Sequence, residues 1–399
     1  MSTQSPTTTA TAAAQVALVV DDICEILRGN AAHFDIDLLC DFARRFLIKF
    51  PRTLLADRDA EALAAMVAGT FEFLRAPRGD AAEVAVARPE DEGWSAPVTL
   101  IRASVVDRPF VVDTLREYLA GENLAIEEFV HPVLGVRRDA DGSLTGLGDL
   151  GETGRDEALV YIEVSRIDEP ARRKAIADAA ERHLADVVAA TRDFPAMKAA
   201  LDATIADVER DCGRLTARRR ELEEVREFLL WLREGNFVFL GYRGYEIGNG
   251  EAEPVIRVSG GSGLGILGNE QRSAYQSGVP LSELSDSLRR RVTAGPLLII
   301  SKTNAESTVH RRSRMDYIGV KKLDGSGAVV GEHRFLGLFT SKAYAEHADT
   351  IPILRRKLER ILERSGAQEG SHDYKEIITI FNSMPKEELF QATPEELET

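Results

Sequence analysis

The sequence has few of the residues that mark a disulfide scaffold or a metal centre. Its 399 residues hold 3 cysteines, Cys24, Cys40 and Cys212, far apart and in no C-x-x-C pair. Neither a disulfide framework nor a zinc site follows from that spacing, and a reducing, cytoplasmic setting is expected. The 7 histidines show no H-x-x-x-H or H-E-x-x-H pattern, so no metal is expected. Positive charge is also short: 50 Lys and Arg stand against 65 Asp and Glu, a formal net charge of −15. Sequence-independent nucleic-acid binding needs a cationic face, so no nucleic-acid partner is expected. Long hydrophobic runs are missing as well. The apolar stretch after "MSTQSPTTTATAAAQ" is broken by Asp21 and Asp22, which supports neither a signal peptide nor a membrane span. A G-x-S-x-G elbow, a Walker loop and a Cys/His pairing are all absent, so no catalytic residue is assigned.

Periodicity supplies what composition does not. Residues 1–13 offer almost nothing to bury and read as a disordered tail. Over 14–90, apolar residues recur at three- and four-residue spacing (Val16, Val19, Val20, Ile23, then Leu38, Leu39, Phe42, Phe46), which predicts a helical block stopped and linked by Pro51 and "RPEDEGWSAP". Over 96–192 the character changes: "VTLIRASVV", the helical "PFVVDTLREYLAGENL", "AIEEFVHPVLGVRRD", a turn-rich stretch, "ALVYIEVSRI" and a long helix from Pro170. That β-α-β-β-α order predicts a ferredoxin-like α+β module. Connecting helices are expected over 193–235, a second α+β module of ACT or PAS type over 236–348, and a helical segment over 349–399 that leads onward. The fold class is α+β.

Three stretches invite a functional reading. "SGGSGLGILGNEQ" contains a literal G-x-G-x-x-G at Gly263, Gly265 and Gly268, but Pro280 follows too soon for a crossover helix and the next strand, "PLLIISK", carries no acid. A dinucleotide site needs both, so the stretch is read as a turn and no cofactor-binding residue is assigned. "HRRSRMDYIGVKK" places Arg311, Arg312, Arg314, Lys321 and Lys322 around a strand, the donor set of an anion site or, more simply, of a solvated edge. The third stretch, "VVDRPFVVDTLREYLAGENLAI", resembles the opening of ACT domains, in which an amino acid often sits at the turn between two subunits. The resemblance makes Asp107, Arg108, Pro109 and Phe110 the candidate ligand turn. A helix N-terminus there would offer free N–H groups to a carboxylate. Phe110 occupies the place where such domains usually carry glycine.

Several blocks together resemble the large bacterial NAD-specific glutamate dehydrogenases: "RPFVVDTLREYL", "FVHPVLGVRRD", "FLLWLREGNFVFLGYR", "GLGIL", "RMDYIGVKK", "VVGEHRFLGLFTSKAY", "IPILRRKLERILERSG" and "MPKEELFQ". The resemblance runs from about residue 16 to the end. It implies an N-terminal, non-catalytic portion of ACT-like and PAS-like modules, inactive alone, with the NAD site and catalytic residues on a downstream domain of the same polypeptide. It implies further a homo-oligomer and an amino-acid effector. The other reading is a free-standing ACT-like module that binds an amino acid or a protein.

Overall fold

Helix caps and apolar stripes set the first layer. The computed structural model describes residues 18–29, 34–250, 253–392 and 394–397; the tail expected over 1–13 and His33 lie outside them. Helices α1 (18–29), α2 (Ile36–Leu47), α3 (Arg52–Asp57) and α4 (Ala60–Arg75) open the chain. Asp35 accepts from the N–H groups of Asp37 and Leu38, and Asp59 from that of Ala62, so two of these helices start on side-chain caps. Leu39, Phe42 and Phe46 of α2 and Leu63, Val67 and Phe71 of α4 are buried in one cluster that also holds Leu100, Leu159 and Tyr161 of a sheet. These helices are therefore no separate cap: they and the sheet share one core.

That sheet runs β1 (Glu83–Ala87), β2 (Val98–Val106), β6 (Asp156–Ser165), β4 (Val133–Arg138), β5 (Leu144–Gly148), antiparallel throughout, with β3 (Ile126–Val130) also on β6. Residues 98–105 of β2 and 157–164 of β6 are all buried, so both faces are covered. The face opposite the first helices takes α5 (Val111–Gly121) and α6 (Pro170–Arg192), whose Leu115, Leu119, Ile176 and Leu184 are buried. The β-α-β-β-α order holds, with three differences, the first being that the turn-rich stretch contains the strand β5. The strand-like run 125–139 is split at His131 and Pro132, where proline lacks the N–H a ladder needs. Residues 83–87, inside the block read as helical, form β1, and it lies on β2 at the edge that a strand after α6 would occupy in a βαββαβ sheet. Residues 1–188 and 308–312 make up this first unit.

The second unit takes 189–307 and 313–399. Its strands β7 (Phe237–Asn249), β8 (Pro254–Val258), β10 (Val279–Pro280), β11 (Leu298–Glu306), β12 (Arg314–Leu323) and β13 (Val329–Phe339) form the order β10-β8-β7-β13-β12-β11, with β9 (Leu264–Gly265) on β7. Its five longest strands, counted along the chain, lie 2-1-5-4-3 and antiparallel, in an α+β module as expected. Helices α7 (Phe194–Arg214) and α8 (Arg219–Trp231) pack on it: Leu201, Ile205, Phe228 and Leu229 share a core with Phe237, Phe335, Phe339 and, from α11 (Pro352–Ser365), Leu354. The stretch expected to connect modules is thus the packing partner of the second sheet. Helices α9 (Asp286–Thr293), α10 (Ser341–Ala345), α12 (His372–Ser383), α13 (Lys386–Gln391) and α14 (Pro394–Leu397) complete the unit. Among the described residues, no helix is long and apolar enough to cross a membrane.

Candidate functional site

The ACT-type turn joins the end of β2 to α5. Asp107 donates its backbone N–H to the Asp156 carbonyl at 2.8 Å, which fixes the turn to β6. Arg108 folds back, its Nε 3.0 Å from the Val106 carbonyl and its Nη1 3.4 Å from that of Val188. Asp107 and Pro109 are exposed, and Phe110 is half-buried. Phe110 is the N-cap of α5 and sits at φ 74°, ψ −4°, a left-handed conformation. Glycine adopts that region without a penalty, whereas a side chain costs roughly 1–2 kcal/mol there. The usual glycine at this place therefore answers a backbone demand that this chain meets with a phenylalanine.

The compensation for Phe110 comes from a segment that the sequence marked only by its basic Arg311 and Arg312. Residues 308–312, between β11 and β12 in the chain, belong to the first unit. The Phe110 and His310 rings lie 5.1 Å apart at 45°. His310 donates its backbone N–H to Thr114 Oγ1 at 2.9 Å, and its Nδ1 is 3.2 Å from Asp113 Oδ2. Thr308 Oγ1 donates to Asp186 Oδ2 at 2.6 Å, the Arg312 N–H to Glu117 Oε2 at 3.2 Å, and Val309 is fully buried. His310 is itself left-handed, at φ 69°. The first turn of α5 is thereby engaged by Phe110, His310 and Asp113. His131 lies close by, and burial pulls its imidazole below the usual range against the opposing charge of Asp107.

The glycine loop is organised differently from a phosphate cradle. The Gly263 N–H donates to Glu270 Oε1 at 2.9 Å, that of Gly261 to Glu270 Oε2 at 3.2 Å, and that of Gly265 to Asp193 Oδ2 at 2.9 Å. Protein carboxylates hold the donors that a pyrophosphate would need. A single 3₁₀ turn, Glu270–Arg272, follows in place of a helix. Gly265 has φ 58°, and a Cβ there would collide with the Leu240 carbonyl, so this glycine lets β9 lie against β7.

The basic run 311–322 is not gathered into one site. Arg311 and Arg312 fall in the first unit, while Arg314, Lys321 and Lys322 are on β12 of the second. Lys321 donates to the Ala294 carbonyl, and burial lowers the pKa of both lysines.

An antiparallel sheet with a strand, an Asp-x-Pro turn and a helix at its heart defines an ACT-type module, and a match to "Glutamate dehydrogenase, ACT1 domain" covers residues 42–180. It begins inside α2, so the family's unit takes in helices as well as the sheet. "Glutamate dehydrogenase, helical motif 1" matches 351–399. The chain is 31% identical over 361 residues to the NAD-specific glutamate dehydrogenase of Halomonas elongata, and 30% over 361 residues to that of Pseudomonas aeruginosa, each time over 89% of this chain and 22% of the relative. The Mycobacterium tuberculosis enzyme of the same name is 26% identical over 322 residues, 79% of this chain and 18% of the relative. The chain belongs to the NAD-specific glutamate dehydrogenase family, as its N-terminal region. It spans about a fifth of the length of these relatives.

Proposed function

We propose that this chain is the regulatory and assembly segment of an NAD-dependent glutamate dehydrogenase, the whole enzyme oxidising glutamate to 2-oxoglutarate and ammonia with NAD. The observation that carries the reading is the ACT1 match over 42–180 together with a turn at 107–110 that is engaged at the N-terminus of α5. The segment brings copies of the polypeptide together beside a downstream catalytic domain in the cytoplasm, and an amino-acid effector acts at that turn by competing with the contacts Phe110 and Asp113 make to His310. NAD belongs to the downstream domain, because the N–H groups of the glycine loop are committed to Glu270 and Asp193.

Two measurements test this. The purified 399-residue chain, given glutamate and NAD, should form no NADH, and measurable turnover overturns the assignment. Light scattering at tens of micromolar should return a dimer or larger, and a monomer overturns the assembly role.

A further inference from the structure

On the first unit, a cleft of about 680 Å³, none of whose lining residues belongs to the turn, is lined by Arg78, Arg137, Arg138 and Arg155. Three stretches of sequence meet there: the loop after α4, the β4–β5 hairpin and the loop that leads into β6. Two of the four guanidinium groups, those of Arg78 and Arg137, form no ion pair among the described residues, and the other two share one carboxylate. Glu157 is completely buried and serves both Arg138, at 2.7 and 2.8 Å, and Arg155, at 2.6 Å. Asp80, the other carboxylate on Arg155, is 86% exposed. Asp139 lines the cleft but directs one oxygen to its own turn, accepting from the N–H groups of Asp141 and Ser143. Arg137 donates only to a carbonyl, that of Leu147.

Arg78 is the telling residue. It is 7% exposed, stacks on Phe73 at 4.7 Å and donates to the Phe73 and Ala76 carbonyls, yet no protein atom accepts from its buried Nη1. Burial, with the like charges of Arg138 and Arg155, pulls its pKa down to about 10 against the opposing charges of Glu157 and Glu83. A buried guanidinium N–H group without an acceptor is costly, and natural structures rarely leave one. Guanidinium forks match the geometry of phosphate and carboxylate oxygens.

We infer that this cleft binds a small oxyanion of at least two negative charges, a phosphate or a dicarboxylate, with Arg78 and Arg137 as its principal donors. The site differs from the ACT-type turn in residues and position, and it does not rest on the dehydrogenase reading.

The test is titration calorimetry on the 399-residue chain at constant ionic strength with inorganic phosphate, malonate and chloride. Phosphate or malonate should bind at least about tenfold more tightly than chloride, and the better of the two identifies the ligand class. Equal heats for all three, or none, overturn the inference. Arg137→Gln, at an exposed position, should weaken the preferred anion about tenfold with the melting temperature unchanged. Arg78→Met removes a buried charge while keeping apolar bulk: it should abolish binding and leave the anion-free protein at least as stable. If Arg78→Met lowers the melting temperature and the anion still binds, Arg78 is a structural donor to the Phe73 and Ala76 carbonyls and the inference fails.

Discussion

The glycine loop at 259–271 and the arginine cleft around Arg78 are both crowded with hydrogen-bond donors, and the protein treats them in opposite ways. In the loop, Glu270 takes two N–H groups and Asp193 a third, so its donors are satisfied by the chain itself. In the cleft, Arg78, Arg138 and Arg155 crowd around one buried carboxylate, and Arg78 keeps a donor with no protein acceptor. A glycine pattern reports that backbone can come close to something. Whether that something is a ligand depends on which acceptors the fold has already brought to the N–H groups, and in this loop they come from Glu270 and Asp193.

The sharpest way to break the contrast is to remove the one buried acid of the cleft. Glu157→Gln should destabilise the chain by about 3–5 kcal/mol in urea unfolding, the range for leaving buried cations without their partner. A change below about 1 kcal/mol would show that water and carbonyls already satisfy these arginines. Acid should act on the same group. Burial pushes the Glu157 carboxyl up, and the hydrogen bonds of Arg138 with the charges of Arg155 and Arg78 more than offset this, so its pKa is lower folded than unfolded. Its contribution is then present above the unfolded value and is lost as pH falls through the folded one. Stability measured at pH 3 and at pH 7 should differ less in Glu157→Gln than in the wild type.

In the loop, substitution at Gly265 should cost about 3 kcal/mol as Ala, because φ is 58° and the new Cβ collides with the Leu240 carbonyl. Gly261, at φ 73° with open space around it, should cost only about 1 kcal/mol. Equal costs would mean that conformation alone fixes these glycines and the close approach of β9 to β7 adds nothing. Asp193→Ala, which removes the acceptor 2.9 Å from the Gly265 N–H, should cost about 1–2 kcal/mol. Asp193→Asn, which keeps a carbonyl oxygen, should cost less, and equal costs for the two variants would shift the weight to the exposed Arg192 ion pair, which both lose.

The parts of this molecule that sequence foretells are those whose signal is local and long. The strands β2 and β6 are nearly continuous apolar runs because both faces of their sheet are covered, and α8 shows its buried face as Leu222, Val225 and Leu229. The strand β1, "EVAVA", is too short for its alternation to stand out, and its status depends on β2 lying beside it. Of the cleft's arginines, Arg137 and Arg138 are neighbours in the chain, but they meet Arg155 through the pairing of β4 with β6, and Arg78 through its backbone bond to Gly142. The basic run marks Arg311 and Arg312 but not the docking of 308–312, since Thr308 and His310 acquire their roles from Asp186, Asp113 and Thr114.

The smallest effect belongs to the turn at Phe110, where sequence and backbone disagree. Phe110 combines a left-handed backbone with a ring against His310, and two substitutions separate these contributions. Phe110→Ala keeps the strain and loses the ring, and Phe110→Gly loses both. If the left-handed conformation is maintained, the glycine variant should be more stable than the alanine variant by about 1 kcal/mol. Equal stability would show that the turn relaxes once the ring is gone, and the strain at Phe110 would then be imposed by the contact with His310 and not by the path of the chain from β2 into α5.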